Sequence, residues 1–245
     1  MNRDIEAAKL DRSLRDFRTL TIVEARLAGL RQLVEYWHGP IEATDGFSDE
    51  DLEGVPAPFP LRWWYRLAGR RGGILSGQNR LLAPHELTVA GDGRLPFYVE
   101  NQGVYLWSTL PDGDPPVWGK FENANEVWGD VEWTDEGMRL SEFLMEVCLF
   151  EAIMTAPYGA AAGWAEESTL ARLRKELPLL PLTPWRWPQS PSQFYGREGA
   201  FMFACPNLSP QGTQAYSVWI GAKSPQPLAF LKGLGNEREW DHVAL

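Results

Sequence analysis

Cysteine is scarce in this chain: Cys148 and Cys205 are the only two in 245 residues. That excludes a disulfide-stapled scaffold and a multi-cysteine zinc site. Histidine is scarce too, with three in all. His38, His85 and His242 stand apart, and none falls into a metal-ligand or zinc-protease spacing. A Gly-x-Ser-x-Gly elbow and a phosphate-binding Gly-Lys-Ser/Thr loop are both missing. The longest stretch without Asp, Glu, Lys or Arg, Gly199 to Ala222, contains Pro206, Pro210, Gln211 and Gln214, so it does not read as a membrane span. The opening residues, Met-Asn-Arg-Asp-Ile-Glu, carry acids where a secretory signal has an apolar run, which predicts a cytoplasmic protein.

Positive charge is also in short supply, and its deficit is local. Against a net charge of −10, residues 1–47 carry seven bases and eight acids, residues 48–156 eight bases and eighteen acids, and residues 157–245 eight bases and seven acids. The excess acid therefore sits in the middle third. Such a surface repels nucleic acid and favours a basic partner, or serves solubility alone.

What is abundant points to a rigid globular fold: 44% hydrophobic residues, with twelve Trp and nineteen Pro. Leu10, Leu14, Phe17, Leu20, Val23, Leu27, Leu30, Val34 and Trp37 recur at helical steps of three or four, and Gly39-Pro40 ends the pattern. This predicts one long N-terminal helix, packed across a domain or against a second copy of the chain. Ser48-Asp-Glu-Asp51 resembles a helix start. Pro60 to Gly69 predicts a second helix, with Pro in its first turn. Gly69-Arg-Arg-Gly-Gly follows that helix rather than preceding one, so it reads as a cap and turn before it reads as a phosphate site.

Leu95-Pro-Phe-Tyr-Val-Glu and Val104-Tyr-Leu-Trp-Ser, joined by Asn101-Gln102-Gly103, predict a β-hairpin. Pro116 to Gly119 predicts a further strand, after a turn at Asp112 to Pro116. Ser141 to Met154 predicts a helix apolar on most sides and therefore buried, with Cys148 in its core. In the last part, Pro157 to Gly163 reads as a small-residue loop, Glu166 to Leu177 as a helix, and Pro178 to Pro188 as an extended linker. Ala200 to Cys205 and Ala215 to Ala222 read as strands. The fold class expected is α+β, a mainly antiparallel twisted sheet flanked by helices. Residues 1–47 form a helical segment, 48–156 a core, and 157–245 an extension packed on that core as one body.

Three groups of residues are candidates for contact with a partner. Glu100, Asn101 and Gln102 at the hairpin tip could grip a peptide, or could satisfy backbone groups at the turn. Phe121 to Met138 holds Glu122, Glu126, Asp130, Glu132, Asp135 and Glu136 without a base, interleaved with Trp128 and Trp133. That pattern suits a hot-spot surface for a basic protein, or a solvated loop anchored by its tryptophans. Asp112 and Asp114 add to the acid. A carboxylate pair such as Glu100 and Asp114 could also serve a hydrolase.

The central third resembles the SUKH superfamily. The resemblance rests on the helix Leu61 to Gly69 with its Gly-rich sequel, Leu81-Leu-Ala-Pro-His-Glu-Leu, Phe97-Tyr-Val-Glu-Asn-Gln-Gly-Val, Trp107, Asp114-Pro-Pro-Val-Trp and Leu140-Ser-Glu-Phe-Leu, in that order. It covers roughly residues 48–156. The superfamily includes the bacterial Syd protein, fungal cell-wall-synthesis regulators and many bacterial immunity proteins. The resemblance implies an α+β fold and a non-enzymatic role, without catalytic residues, metal or cofactor. It implies blocking a toxin, often a nuclease with a basic surface, by direct binding. The runner-up is the same fold used as a regulatory scaffold or peptide sensor with no toxin partner.

Overall fold

The structure is a computed structural model in which residues 23–121, 132–208, 214–233, 240 and 242–244 are described. The described residues gather into two compact units, one within Leu20–Glu151 and the other mainly within Ala152–Leu245. The protein is α+β, and both of its five-stranded sheets are antiparallel throughout.

The first unit opens with helix α1, Val23–His38, whose buried stripe is Leu27, Leu30, Leu33, Val34 and Trp37. The part of the expected N-terminal helix before Val23, with the dimer contact proposed for it, lies outside the described residues. Gly39 takes φ +90° and ends α1. Arg71 donates to the carbonyls of His38 and Pro40, the latter at 2.9 Å, so the Gly-rich basic segment closes the end of this helix. Ser48 and Asp51 exchange hydrogen bonds as a capping box does, but the chain only turns there. Gly54 and the prolines that follow prevent the turn from extending into a helix. Helix α2, Phe59–Ala68, has Pro60 in its first turn.

The sheet of this unit has the order β1 (Arg80–Leu81), β2 (Leu95–Val99), β3 (Tyr105–Thr109), β4 (Pro116–Phe121) and β5 (Thr134–Arg139). The expected hairpin is its middle, with Tyr98 opposite Trp107. Helix α3, Leu140–Met154, is buried along nearly its whole length and packs on this sheet through Phe143. The Phe143 ring lies 5.5 Å from Phe97, 6.0 Å from Tyr98 and 5.8 Å from Trp107. Edge-to-face and tilted contacts of this kind add to the gain from burial. Strand β5 is a departure from expectation. Its sequence, Thr-Asp-Glu-Gly-Met-Arg, reads as acidic loop, yet Glu136 and Met138 are buried.

The second unit contains a sheet of order β10-β6-β9-β8-β7. Its strands are β6 (Tyr158–Glu166), β7 (Gln193–Arg197), β8 (Ala200–Leu208), β9 (Gln214–Ala222) and β10 (His242–Ala244). Residues 157–163 were expected to be a loop, and all but Pro157 instead form the start of β6. Ala160, Ala162 and Ala165 bury their small side chains in a cluster with Leu170 and Leu173 of helix α4, Glu167–Glu176. On the other face Trp185 meets Phe194 at 5.5 Å and Phe203 at 5.9 Å. The Pro-rich stretch is thus tied down: Trp185 and Ser192 form a bridge, as do Leu179 and Tyr195.

Candidate functional site

The hairpin tip uses Glu100 internally. Its carboxylate, only 7% exposed, accepts from the backbone N–H of Gln102 at 2.8 Å and of Val104 at 3.2 Å. The Gly103 N–H donates to the Glu100 carbonyl at 2.8 Å, and the Asn101 N–H to Asn79 Oδ1 at 3.2 Å. The backbone amides of the turn are thereby satisfied within the protein. What the tip presents outward is the side chains of Asn101 and Gln102, both exposed.

Asp114 is likewise engaged at the far end of the sheet. It accepts from the Ser141 N–H at 2.9 Å and the Ser141 hydroxyl at 2.8 Å. Arg26 reaches the same point, 3.7 Å from Asp114 and 3.5 Å from Glu142. Asp114 therefore caps α3. Its neighbour Asp112 is exposed and accepts from the Gly113 N–H at 2.8 Å. Glu100 and Asp114 flank opposite ends of the five-residue strand β3 and its turn. A strand of that length spans about 17 Å. Glycosidic carboxylate pairs need about 5–10 Å, so this pair does not form a hydrolytic dyad. Asp112 and Glu132 are separated in the same way, at opposite ends of β4.

In the acidic run, Glu122, Glu126, Trp128 and Asp130 lie outside the described residues. Glu132 is exposed just before β5. Glu136 is no surface acid. It is 3% exposed and accepts from the Tyr105 hydroxyl at 3.0 Å. Trp133 is half-buried in a built arrangement. Its indole N–H donates to Asp92 at 3.2 Å, and Lys120 Nζ stands 4.7 Å above its ring. The Arg94 guanidinium lies 4.7 Å from the Trp118 ring and 5.7 Å from that of Trp133. By strand alternation Trp118 and Lys120 share the face turned away from Trp107 and Val117. Asp135 stands directly across from Trp118. This face thus joins two half-buried indoles, two cations stacked on them, and the exposed acids Asp92, Glu132 and Asp135. Hydrogen bonding from the Arg94 N–H, with the nearby Arg94 charge, holds the Asp92 carboxyl below its usual range. Sequence reading named Trp133 and Glu132 but missed Trp118, Arg94 and Lys120. The alternation within Pro-Val-Trp-Gly-Lys-Phe was the signal available for two of them.

Glu151 of α3 accepts four hydrogen bonds from two other segments of the chain. Oε2 accepts from the N–H groups of Gly77 at 2.8 Å and Gln78 at 2.5 Å; Oε1 accepts from the Asn79 N–H at 2.9 Å and the Tyr98 hydroxyl at 2.5 Å. Burial pushes its carboxyl up, and the converging donors work against that rise. Burial also drives Tyr98 and Cys148 well above their usual ranges and Cys205 to about 11. Neither thiol therefore carries much thiolate at neutral pH. Among the described residues, no three His, Cys, Asp or Glu stand close enough to hold a metal, and no helix is long and apolar enough to cross a membrane.

No family description, curated protein or solved structure matches the chain.

Proposed function

We propose that this chain is a non-enzymatic protein-binding module that blocks a basic protein, in the manner of the SUKH immunity proteins its central third resembles. The observation that carries the reading is the indole face of the first sheet. Trp118 and Trp133 are large, half-exposed and held in place by stacked cations and by the Asp92 hydrogen bond. Rigid aromatic anchors ringed by polar groups are the anatomy of an energetic interface. The rim acids Asp92, Glu132 and Asp135 outnumber Arg94 and Lys120, and the surrounding third of the sequence has ten more acids than bases (eighteen against eight). A basic toxin domain, nuclease or otherwise, complements such a surface, and nucleic acid does not. Neutralising a toxin before it acts on the producing cell places the protein in the cytoplasm. The exposed Asn101 and Gln102 extend the surface at one end of the sheet.

The test is co-expression with the product of the adjacent reading frame in a host which that product kills. Restored growth, with a stable complex lost on Trp133→Ala, supports immunity. Undiminished killing, or an innocuous neighbour, overturns it.

A further inference from the structure

The loop Ser76–Asn79 and the hairpin tip Glu100–Gly103 are distant in sequence from each other and from α3, yet a buried carboxylate of α3 binds the loop, and the loop's Asn79 bonds the tip. Glu151 is fully buried. Three consecutive backbone N–H groups, those of Gly77, Gln78 and Asn79, converge on its two oxygens, and the Tyr98 hydroxyl of β2 supplies the fourth donor. A run of N–H groups wrapped around one anion is a nest, and here the anion is the protein's own carboxylate. The segment is anchored on its N-terminal side by the buried Ile74 and Leu75, and through Gly77–Asn79 these bonds hold the backbone N–H groups. Asn79, 3% exposed, then points its side-chain oxygen at the Asn101 N–H, 3.2 Å away. The other amides of the tip are satisfied by Glu100 itself. Among the described residues, the bond that ties the tip to another part of the chain, beyond its own strands, is therefore the one from Asn101 to Asn79.

We propose that Glu151 is a positioning residue for the hairpin tip: its carboxylate fixes Gly77–Asn79, and Asn79 passes that order to the turn presenting Asn101 and Gln102. The consequence for binding rests on the reading of the tip as part of the partner surface; the relay itself does not. Neutral Gln at position 151 keeps the shape but turns an NH2 group toward backbone donors, so it breaks half of the nest without making a cavity. Asn79→Ala leaves Glu151 in place and cuts only the second link.

Residue-resolved amide hydrogen exchange on the isolated full chain tests the relay. Hydrogen bonds to a charged acceptor are worth enough for about a tenfold change in local opening. Glu151→Gln should speed exchange about tenfold or more at one or both of Gly77 and Gln78, and speed it also at Asn101, while the Trp107 amide in the sheet centre stays as in the wild type. Asn79→Ala should speed Asn101 alone. If Glu151→Gln opens the loop and leaves Asn101 protected, the relay is wrong. Unchanged exchange at all of these amides removes the positioning role altogether. Should Glu151→Gln fail to fold, Asn79→Ala decides: wild-type protection at Asn101 overturns the proposal. No partner enters this experiment, so a wrong partner surface leaves its result standing.

Discussion

Asp114 accepts hydrogen bonds from both the backbone N–H and the hydroxyl of Ser141, at 2.9 and 2.8 Å, and so closes the N-terminus of α3 from a loop 27 positions earlier in the chain. The residue supplying the cap is not the one preceding the helix in sequence. Its negative charge also meets the positive end of the helix dipole. Asp114→Ala should therefore cost about 1–2 kcal/mol, the range for losing an N-cap. Asp112→Ala, in the same turn but exposed, should cost far less. Urea unfolding of the two variants makes the comparison, and equal losses would deny Asp114 its capping role.

Phe143 concentrates the packing between α3 and the first sheet, with three aromatic rings within 6.0 Å. It is fully buried, so truncation leaves a cavity ringed by groups that cannot all collapse into it. Phe143→Ala should destabilise by about 3–5 kcal/mol. Phe143→Leu should cost markedly less, because it refills most of the volume. Denaturant midpoints at constant slope would check both.

Much of this fold was legible in sequence because strongly periodic or strongly apolar segments have few alternatives. The Leu95–Ser108 hairpin, the helix around Phe143 and the strands ending at Ala222 follow that rule. The failures have physical causes too. Strand β5 is written in acids because one of its edges is unpaired within its sheet and because Glu136 buries against Tyr105 rather than against water. Strand β6 is written in Ala and Gly because Ala160, Ala162 and Ala165 pack against Leu170 and Leu173 and a Cβ at Gly159 would stand 2.4 Å from the Ile220 carbonyl oxygen, a pattern that in isolation looks like a flexible loop. In the candidate site, charge counting found Glu132 and Asp112 but could not tell which acids the fold spends on itself. Glu100, Asp114, Glu136 and Glu151 all serve backbone or hydroxyl donors. The cation-stacked indoles depend on Arg94, which lies outside the acidic run, and only tertiary structure brings it over Trp118.

Gly119 lies beneath the Tyr105–Glu136 hydrogen bond, and a Cβ there would stand 2.3 Å from both Glu136 Oε1 and the Tyr105 hydroxyl. Both partners are buried and bonded to each other, so neither can yield freely. Gly119→Ala should destabilise by about 1–3 kcal/mol through overpacking. If the bond is what resists, adding Glu136→Ala to Gly119→Ala should recover part of the loss. A double-mutant cycle in thermal unfolding reads the coupling, and strict additivity would place the strain elsewhere.

Asp51 gives a signed pH dependence. Hydrogen bonds from the Ser48 hydroxyl and N–H, with the Arg70 guanidinium, lower its carboxyl from 3.8 to about 2. A carboxyl depressed in the folded state binds protons less readily there than in the unfolded chain. Its stabilising contribution is therefore present above the unfolded value and lost as pH falls from about 4 to about 2. The group is exposed, so the effect should be small. NMR titration should find the Asp51 carboxyl changing near pH 2, and the shift should shrink markedly, though the Ser48 N–H remains, in Ser48→Ala combined with Arg70→Gln. A midpoint near 3.8 in the wild type would show that the turn is not held as described.

Binding to the toxin proposed above should divide into a charge effect on encounter and an indole effect on residence. Six acids fall between Phe121 and Met138 without a base. Of these, Glu132 and Asp135 are exposed and Glu136 is buried; acids on a surface speed association by roughly tenfold or more at low salt and add little once contact is made. Replacing Glu126, Asp130 and Glu132 by Lys should therefore slow association and flatten its salt dependence. Trp133→Ala should act differently. It removes a half-buried ring together with its bond to Asp92 and its stack with Lys120, so dissociation should speed up, at a cost of about 2 kcal/mol or more if the indole is a hot spot. Association and dissociation rates across a salt series separate the two. An on-rate indifferent to both salt and charge reversal would leave the acidic run a solubilising loop, and a Trp133→Ala variant that dissociates like the wild type would move the interface off this face of the sheet.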